Sequence, residues 1–398
     1  ESRYHPAMPD SKDLLPLWTQ LADGQCDSLI HAAMSINPAD VAAVSRLRQD
    51  HDAQLVHLAL DLIKARHKAA KKWPVDMVSR MMADSAGVEQ ATSLLVSEHK
   101  AKRFSQLGKP VMDLCCGIGG DAIGLSRAGI AVTGMDMDPI RAWMTSHNAD
   151  CPTRVGDVAQ LKLDAHTVFH IDPARRNQRG RTHRLEDYQP GMDVMMSLLQ
   201  QQPTACFKLG PGVELDDLPA GEIEIISEHG QLVQAVLWTG ELAQCARRAT
   251  LLPEGLSIAA DADDVWDSPP EDEISKFVMT FDASVERLGL MASLCRQLDI
   301  ACVHPQAGLL TSEALIDSPW VTSFQVLDEM PWQIKQVKAA LRKHNAGIVE
   351  VKTRGRLVNP DVLQKQLRGK GDQLLTVFVL RLGDHLRAII ARRIKTSD

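Results

Sequence analysis

The segment from Val111 to Pro139 constrains the fold more than any other part of the chain. Val111–Leu114 is a short apolar run. Gly117, Gly119 and Gly120 permit a tight turn with close backbone approach, and residues 121–128 carry apolar side chains at helical spacing. Residues 130–135 form a second apolar run that ends on Asp136. Strand, glycine turn, helix and strand in this order predict an α/β sheet with the turn at the carboxyl end of its first strand. The acid at the second strand tip then stands beside the turn, where it can take both hydroxyls of a ribose, so the segment describes a nucleoside pocket. Dinucleotide folds use the same device, but with a G-x-G-x-x-G turn that leads a pyrophosphate onto a helix N-terminus. Asp113, inside the end of the first strand, would repel a pyrophosphate and suits a cationic ligand.

The run Asp113-Leu-Cys-Cys-Gly-Ile-Gly-Gly-Asp121 resembles the first motif of the class I S-adenosylmethionine-dependent methyltransferases, acid-x-Gly-x-Gly-x-Gly, with Cys115 in place of the first glycine. Together with Met135-Asp-Met-Asp-Pro139 it looks most like the trimethylguanosine synthase branch. The resemblance implies S-adenosyl-L-methionine as cofactor, held by Asp113, Cys115, Gly117, Gly119, Gly120 and Asp121 at the methionine end. Asp136 and Met137 would serve the ribose, and Asp157 and Val158 the adenine. A lone Asp after Gly is also a routine turn, so Asp157 keeps both readings. In that branch a Ser/Thr-containing loop covers the cofactor, and Ala91-Thr92-Ser93 is loosely similar, which adds Thr92.

From about 105 to 258 strands alternate with helices, which predicts a doubly wound, Rossmann-like sheet of seven strands. The last two, 222–227 and 232–238, should form an edge hairpin. The fourth strand ends His170-Ile-Asp-Pro-Ala-Arg-Arg176. Amine-methylating relatives read Asp/Asn-Pro-Pro-aromatic here, the acid taking the target amine's hydrogens while the ring stacks the base. Asp172 and Pro173 match that pattern; Ala174 and Arg175 do not. Asp172, Pro173 and Arg175 are the expected catalytic residues. Asp-Pro-Pro-Arg also occurs in RNA uracil C5-methyltransferases, which need a nucleophilic cysteine, and Cys206 lies in an apolar run that reads as core. Arg175, Arg176, Arg179, Arg181 and Arg184 fall within ten residues, a density that suits RNA phosphate recognition, with a solvated loop as the alternative. Lys208, after the fifth strand, is left unassigned.

The chain has 398 residues, enough for two or three domains. Residues 1–104 read as a helical N-terminal region, with a helix start at Asn37-Pro38. Its basic clusters Lys64–Trp73 and Lys100–Phe104 could meet phosphates, or simply be solvated helix faces. Residues 259–276 read as an acidic linker whose carboxylates resemble a metal site only in composition, so no metal is expected. Residues 277–398 read as a smaller α+β region: a strand at 277–281, one helix over 285–298, and β-α-β-α-β-β over about 320–395 with a hairpin turn at Gly383-Asp384. This layout resembles the THUMP-like domain that follows methyltransferase domains in bacterial proteins; true THUMP domains help bind structured RNA.

The net charge is −7, but residues 251–330 hold 15 acids against 3 bases and residues 331–398 hold 15 bases against 5 acids. A basic terminal module on an acidic protein suggests a polyanionic partner, expected to be tRNA or rRNA. Eight cysteines without Cys-x-x-Cys spacing, no signal region and no membrane-length apolar run predict a soluble, cytoplasmic protein with no membrane partner. The expected function is methylation of an RNA base, an exocyclic amine in particular. The alternatives are a catalytically inactive RNA-binding protein that keeps the nucleotide fold, and a methyltransferase for a small molecule or protein.

Overall fold

The computed structural model describes residues 11–174, 176–177, 180–181, 184–261, 273–303, 308–354, 357–382 and 385–394. The chain divides into two compact units, Glu1–Glu224 with Gln234–Gln244, and Ile225–Val233 with Cys245–Asp398.

The first unit opens with seven helices, α1 (Ser11–Ala22), α2 (Asp27–Met34), α3 (Val41–Asp50), α4 (Ala53–Ala69), α5 (Val75–Arg80), α6 (Ser85–Gln90) and α7 (Leu94–Ser105). Their apolar stripes turn inward; α4 alone buries Leu55, Val56, Leu58, Leu62 and Ile63. Asn37-Pro38 does not start a helix. Asn37 Oδ1 takes the Ala39 amide in a local turn, and Asp40 caps α3 by accepting from the amides of Ala42 and Ala43. One carboxylate oxygen satisfying two orphan donors at the true helix start explains the shift.

The sheet contains β1 (Val111–Leu114), β2 (Val132–Asp136), β3 (Thr153–Val155), β4 (Val168–Ile171), β7 (Ala205–Leu209), β8 (Glu222–Glu228), β9 (Gln231–Trp238), β10 (Arg247–Leu252) and β11 (Leu256–Ala260). A separate two-stranded ribbon, β5 (Arg176–Asn177) with β6 (Gly180–Arg181), follows β4. Helices α8 (Gly120–Arg127), α9 (Pro139–Ala149) and α10 (Met192–Gln201) are the crossovers. The strand order is β11-β10-β8-β9-β7-β4-β1-β2-β3. β1 pairs in parallel with β2 and β4, setting Asp113 opposite Gly134 and His170, and β9 runs antiparallel to β7. The expected hairpin is present, turning at His229 and Gly230, both at positive φ, but it is not at the edge, because β10 and β11 lie outside β8.

The sheet has nine strands, where the sequence predicts seven. The two extra strands form a second antiparallel hairpin, Arg247 opposite Ala260, closed through Pro253–Gly255 with Gly255 at φ 69°. The arginine pair that begins β10 and the proline that ends it break the apolar run that would mark it as a strand.

The second unit carries a seven-stranded sheet made of β12 (Phe277–Phe281), β13 (Ala301–Cys302), β14 (Leu310–Ser312), β15 (Val321–Pro331), β16 (Ala346–Thr353), β17 (Gln373–Leu382) and β18 (His385–Arg393), in the order β13-β14-β12-β15-β18-β17-β16. Val337 and Leu341 of α13 (Ile334–Lys343) and Leu363 and Leu367 of α14 (Pro360–Leu367) pack with Val349, Leu375, Val377 and Ile390 in one core cluster. Phe324 and Phe378 meet edge to face at 5.1 Å in another. The single helix expected over 285–298 is two, α11 (Ala283–Leu288) and α12 (Met291–Leu298), because Gly289 is left-handed. Gly383-Asp384 and most of the acidic linker lie outside the described residues.

Candidate active site

The carboxyl ends of β1, β2 and β4 open into a cavity of about 440 Å³. The glycine turn supplies one wall. Gly117 has φ 59° and a Cβ there would meet nothing within 4 Å, whereas one on Gly120 would lie 2.8 Å from the Thr92 amide nitrogen. The first glycine thus leaves an open face to the cavity, and the second lets the loop after α6 press on the turn. Cys115, the departure from the glycine pattern, sits at φ 57°, in the left-handed conformation the replaced glycine would adopt freely. Burial pushes its thiol pKa up, so it has no reactive thiolate character.

Of the residues read as cofactor-binding, Thr92, Cys115, Gly117, Gly120, Asp121, Asp136, Met137, Asp157 and Val158 line this cavity, and Asp172 and Pro173 line it too. Asp136 Oδ2 accepts from the Gly117 amide and Oδ1 from the Asp138 amide, both at 3.0 Å, which fixes the carboxylate at the β2 tip. Burial raises its pKa despite these two bonds. Asp157 caps a short 3-10 turn, Oδ1 accepting from Ala159 at 2.9 Å, so the turn reading and the cavity position hold together. Thr92 Oγ1 donates to Asp121 Oδ2 at 2.6 Å.

Two residues fall elsewhere. Gly119, at φ 87°, is the N-cap of α8 and faces Thr145. Asp113 is 1% exposed and does not line the cavity. Its Oδ1 takes Nδ1 of His170 at 2.7 Å. Nε2 of the same ring lies 3.1 Å from Lys100 Nζ. An ammonium only donates, so Nε2 accepts and the ring proton sits on Nδ1, facing Asp113. Lys100 then pairs with Asp121 Oδ1 at 2.5 Å. Burial raises the Asp113 pKa; burial would do the same to Asp121, but the ammonium groups of Lys100 and Lys208 outweigh it and hold that carboxyl well below the usual range. The cavity is acidic as expected, with Asp121, Asp136, Asp157 and Asp172 in its lining. Asp113 is an anchor beneath it.

At the β4 end, Lys208 Nζ lies 2.5 Å from Asp172 Oδ2. Ala174 exchanges both backbone hydrogen bonds with Gln189, which brings Gln189 and Pro190 into the cavity lining. Tyr188 turns away, its hydroxyl accepting from the Gly210 amide at 3.0 Å. Cys206 is fully buried in β7, and burial raises its pKa. The side chains of Arg175, Arg176, Arg179 and Arg181 lie outside the described residues, and Arg184 is exposed.

Lys100 and Arg103 are not a phosphate-facing cluster. Both are buried, and Arg103 pairs with Glu222 at 2.7 Å beneath the Trp238 ring. Their three-residue spacing on α7, on the same face as Val96 and Phe104, was the available signal.

The fold and its relatives agree. Residues 321–393 match the family described as THUMP domain-like. An S-adenosylmethionine-dependent methyltransferase of Mycobacterium tuberculosis strain CDC 1551, itself described as uncharacterized, is 29% identical over 86% of this chain and 98% of its own. It is a methyltransferase of the S-adenosylmethionine-dependent class. The crystal structure of a candidate methyltransferase from Porphyromonas gingivalis W83 superposes on 98% of the enzyme and 100% of its own chain with TM-score 0.73 at 18% identity, the same fold from end to end. An RNA methyltransferase from Salinibacter ruber in complex with S-adenosyl-L-homocysteine covers 36% of the enzyme at TM-score 0.27 and 15% identity, too slight a likeness to build on. Among the described residues no helix is long and apolar enough to cross a membrane, and no group of three His, Cys, Asp or Glu could hold a metal.

Proposed function

We propose that the methyltransferase transfers the methyl group of S-adenosyl-L-methionine to an exocyclic amine of a base in structured RNA, tRNA or rRNA. The glycine turn with Asp121 and Thr92 receives the methionine end, Asp136 the ribose hydroxyls, and Asp157 with the Val158 backbone the adenine. Four carboxylates around one cavity favour a sulfonium over a pyrophosphate. The carrying observation is that Asp172 lines the same cavity, with one oxygen held by Lys208 and, among the described residues, no hydrogen bond to the other, which is then open to an acceptor N–H. An amine so held presents its lone pair to the methyl carbon, and in-line transfer then needs mainly proximity and orientation, worth on the order of 7–11 kcal/mol of barrier. No covalent nucleophile enters, in keeping with the burial of Cys206.

Amine over ring carbon is further supported by the likeness of the first motif to the trimethylguanosine synthase branch. Gln189 and Pro190 line the cavity beside Ala174, so Pro190 is the proposed platform for the base. RNA is supported by the THUMP-like match over 321–393 and by the excess of bases in residues 331–398. The five arginines from 175 to 184, which follow the acceptor motif in sequence, would grip phosphates. The test is transfer of radiolabelled methyl groups to total RNA from a strain lacking the gene, followed by mass spectrometry of its nucleosides. An N-methylated nucleoside present only with the enzyme is expected; label on protein or small molecules alone would overturn the RNA assignment.

A further inference from the structure

Residues 88–92, the last turn of α6 and the start of the loop to α7, form a strap along one side of the cavity, and its carbonyls accept from ammonium groups. Lys72 Nζ donates to the carbonyls of Val88 and Ala91, both at 2.7 Å, and to that of Glu89 at 3.3 Å. Lys208 Nζ donates to the carbonyl of Gln90 at 3.0 Å. Lys208 also reaches the opposite side, 2.5 Å from Asp172 Oδ2 and 4.0 Å from Asp121 Oδ2. Gln90, Ala91 and Thr92 line the cavity on the strap side and Asp172 on the other.

We propose that Lys208 is a positioning residue that fixes the strap and the acceptor carboxylate relative to each other, so that one ammonium group sets both the enclosure of the methyl donor and the placement of the methyl acceptor. This rests on reading the cavity as the donor and acceptor site. Lys208 emerges from the sheet at β7 and is 4% exposed, so its ammonium cannot swing into solvent as a surface lysine would. A buried cation must keep its partners. Here they are a strap carbonyl and Asp172, which have no sequence proximity and are joined through this one group. With one oxygen of Asp172 fixed and none of the described residues bonded to Oδ1, Oδ1 would receive the acceptor, and a misplacement of about 1 Å there costs roughly a hundredfold in rate. Losing a charged hydrogen bond to the strap costs about tenfold in donor affinity.

Calorimetry with S-adenosyl-L-homocysteine and methyl transfer to total RNA at saturating donor test this on the full chain. Lys208→Met is expected to bind at full stoichiometry with Kd raised about tenfold and kcat lowered about a hundredfold. Asp172→Asn is expected to lose transfer with Kd within twofold of wild type. The stoichiometry reports the folded fraction, which a purely structural defect would lower. If Lys208→Met folds poorly, the double variant D172N/K208M, which buries no orphaned charge from this pair, decides: it keeps the weakened Kd. Wild-type affinity in the double variant, or wild-type affinity and rate in Lys208→Met, would overturn the proposal. Wild-type enzyme that binds the product but methylates no RNA would overturn the RNA assignment while the calorimetric arm still decides on Lys208.

Discussion

At the scale of single residues the cavity separates roles by environment. Asp136 is held by two backbone amides, and burial raises its pKa above the ordinary carboxylate value of 3.8. A ribose diol needs the ionised form, which accepts only. Affinity for S-adenosyl-L-homocysteine should therefore fall as pH drops, beginning above 3.8, by one proton's worth of slope. Asp136→Asn should weaken binding by about ten- to a hundredfold and flatten that limb in calorimetry across pH. Asp172→Ala should abolish transfer and leave product binding intact; loss of both would remove Asp172 from the acceptor role.

Asp113 beneath the cavity and Asp121 in its lining have opposite linkage. Asp113, with its folded pKa raised, is held ionised at a cost that is relieved as pH falls toward 3.8. Asp121, with its folded pKa depressed, contributes stability that is present above 3.8 and lost as pH falls through the folded value.

At the scale of elements, α7 ties the helical region to the sheet. Arg103 pairs with Glu222 at 2.7 Å, lies 3.8 Å from Glu224, donates to the Leu242 carbonyl and stacks 4.4 Å from the Trp238 ring centre. Arg103→Ala leaves both glutamates buried without this cation and should cost about 3–5 kcal/mol in urea denaturation; a cost below 1 kcal/mol would show the pair to be incidental. The strand–turn–helix–strand core was legible because β1, the glycines and α8 each carry a local signature in unbroken order. The place of Asp172 and Pro173 at the end of β4, in the cavity lining, was legible for the same reason. The inward-facing ions were not. Lys100, His170 and Lys208 come from three elements distant in sequence, and a polar residue in an apolar run announces its burial but never its partner. The mistaken place of Asp113 follows from this: a strand-end acid reads as a ligand group until the histidine opposite it, two strands' registers away in sequence, is seen to claim it. The β10–β11 hairpin escaped because Arg247 and Arg248 interrupt the apolar pattern.

At the scale of the molecule, the proposed function divides the work between an acidic cavity and a basic C-terminal module: the first would select a cationic donor, the second a polyanionic acceptor. The 15 bases against 5 acids in residues 331–398 should make RNA binding strongly salt dependent. If five or more phosphates are neutralised, affinity measured by filter binding should drop on the order of several hundredfold between about 50 and 200 mM salt; a flat response would favour a small-molecule or protein acceptor. The acidity of the cavity bears the greater weight, since the choice of donor decides the reaction. Calorimetric titration of the full chain with S-adenosyl-L-homocysteine and, in parallel, NADH measures that choice directly: saturable binding of the first with no heat from the second is the predicted result, and tight NADH binding with no affinity for the methyl donor's product would contradict it.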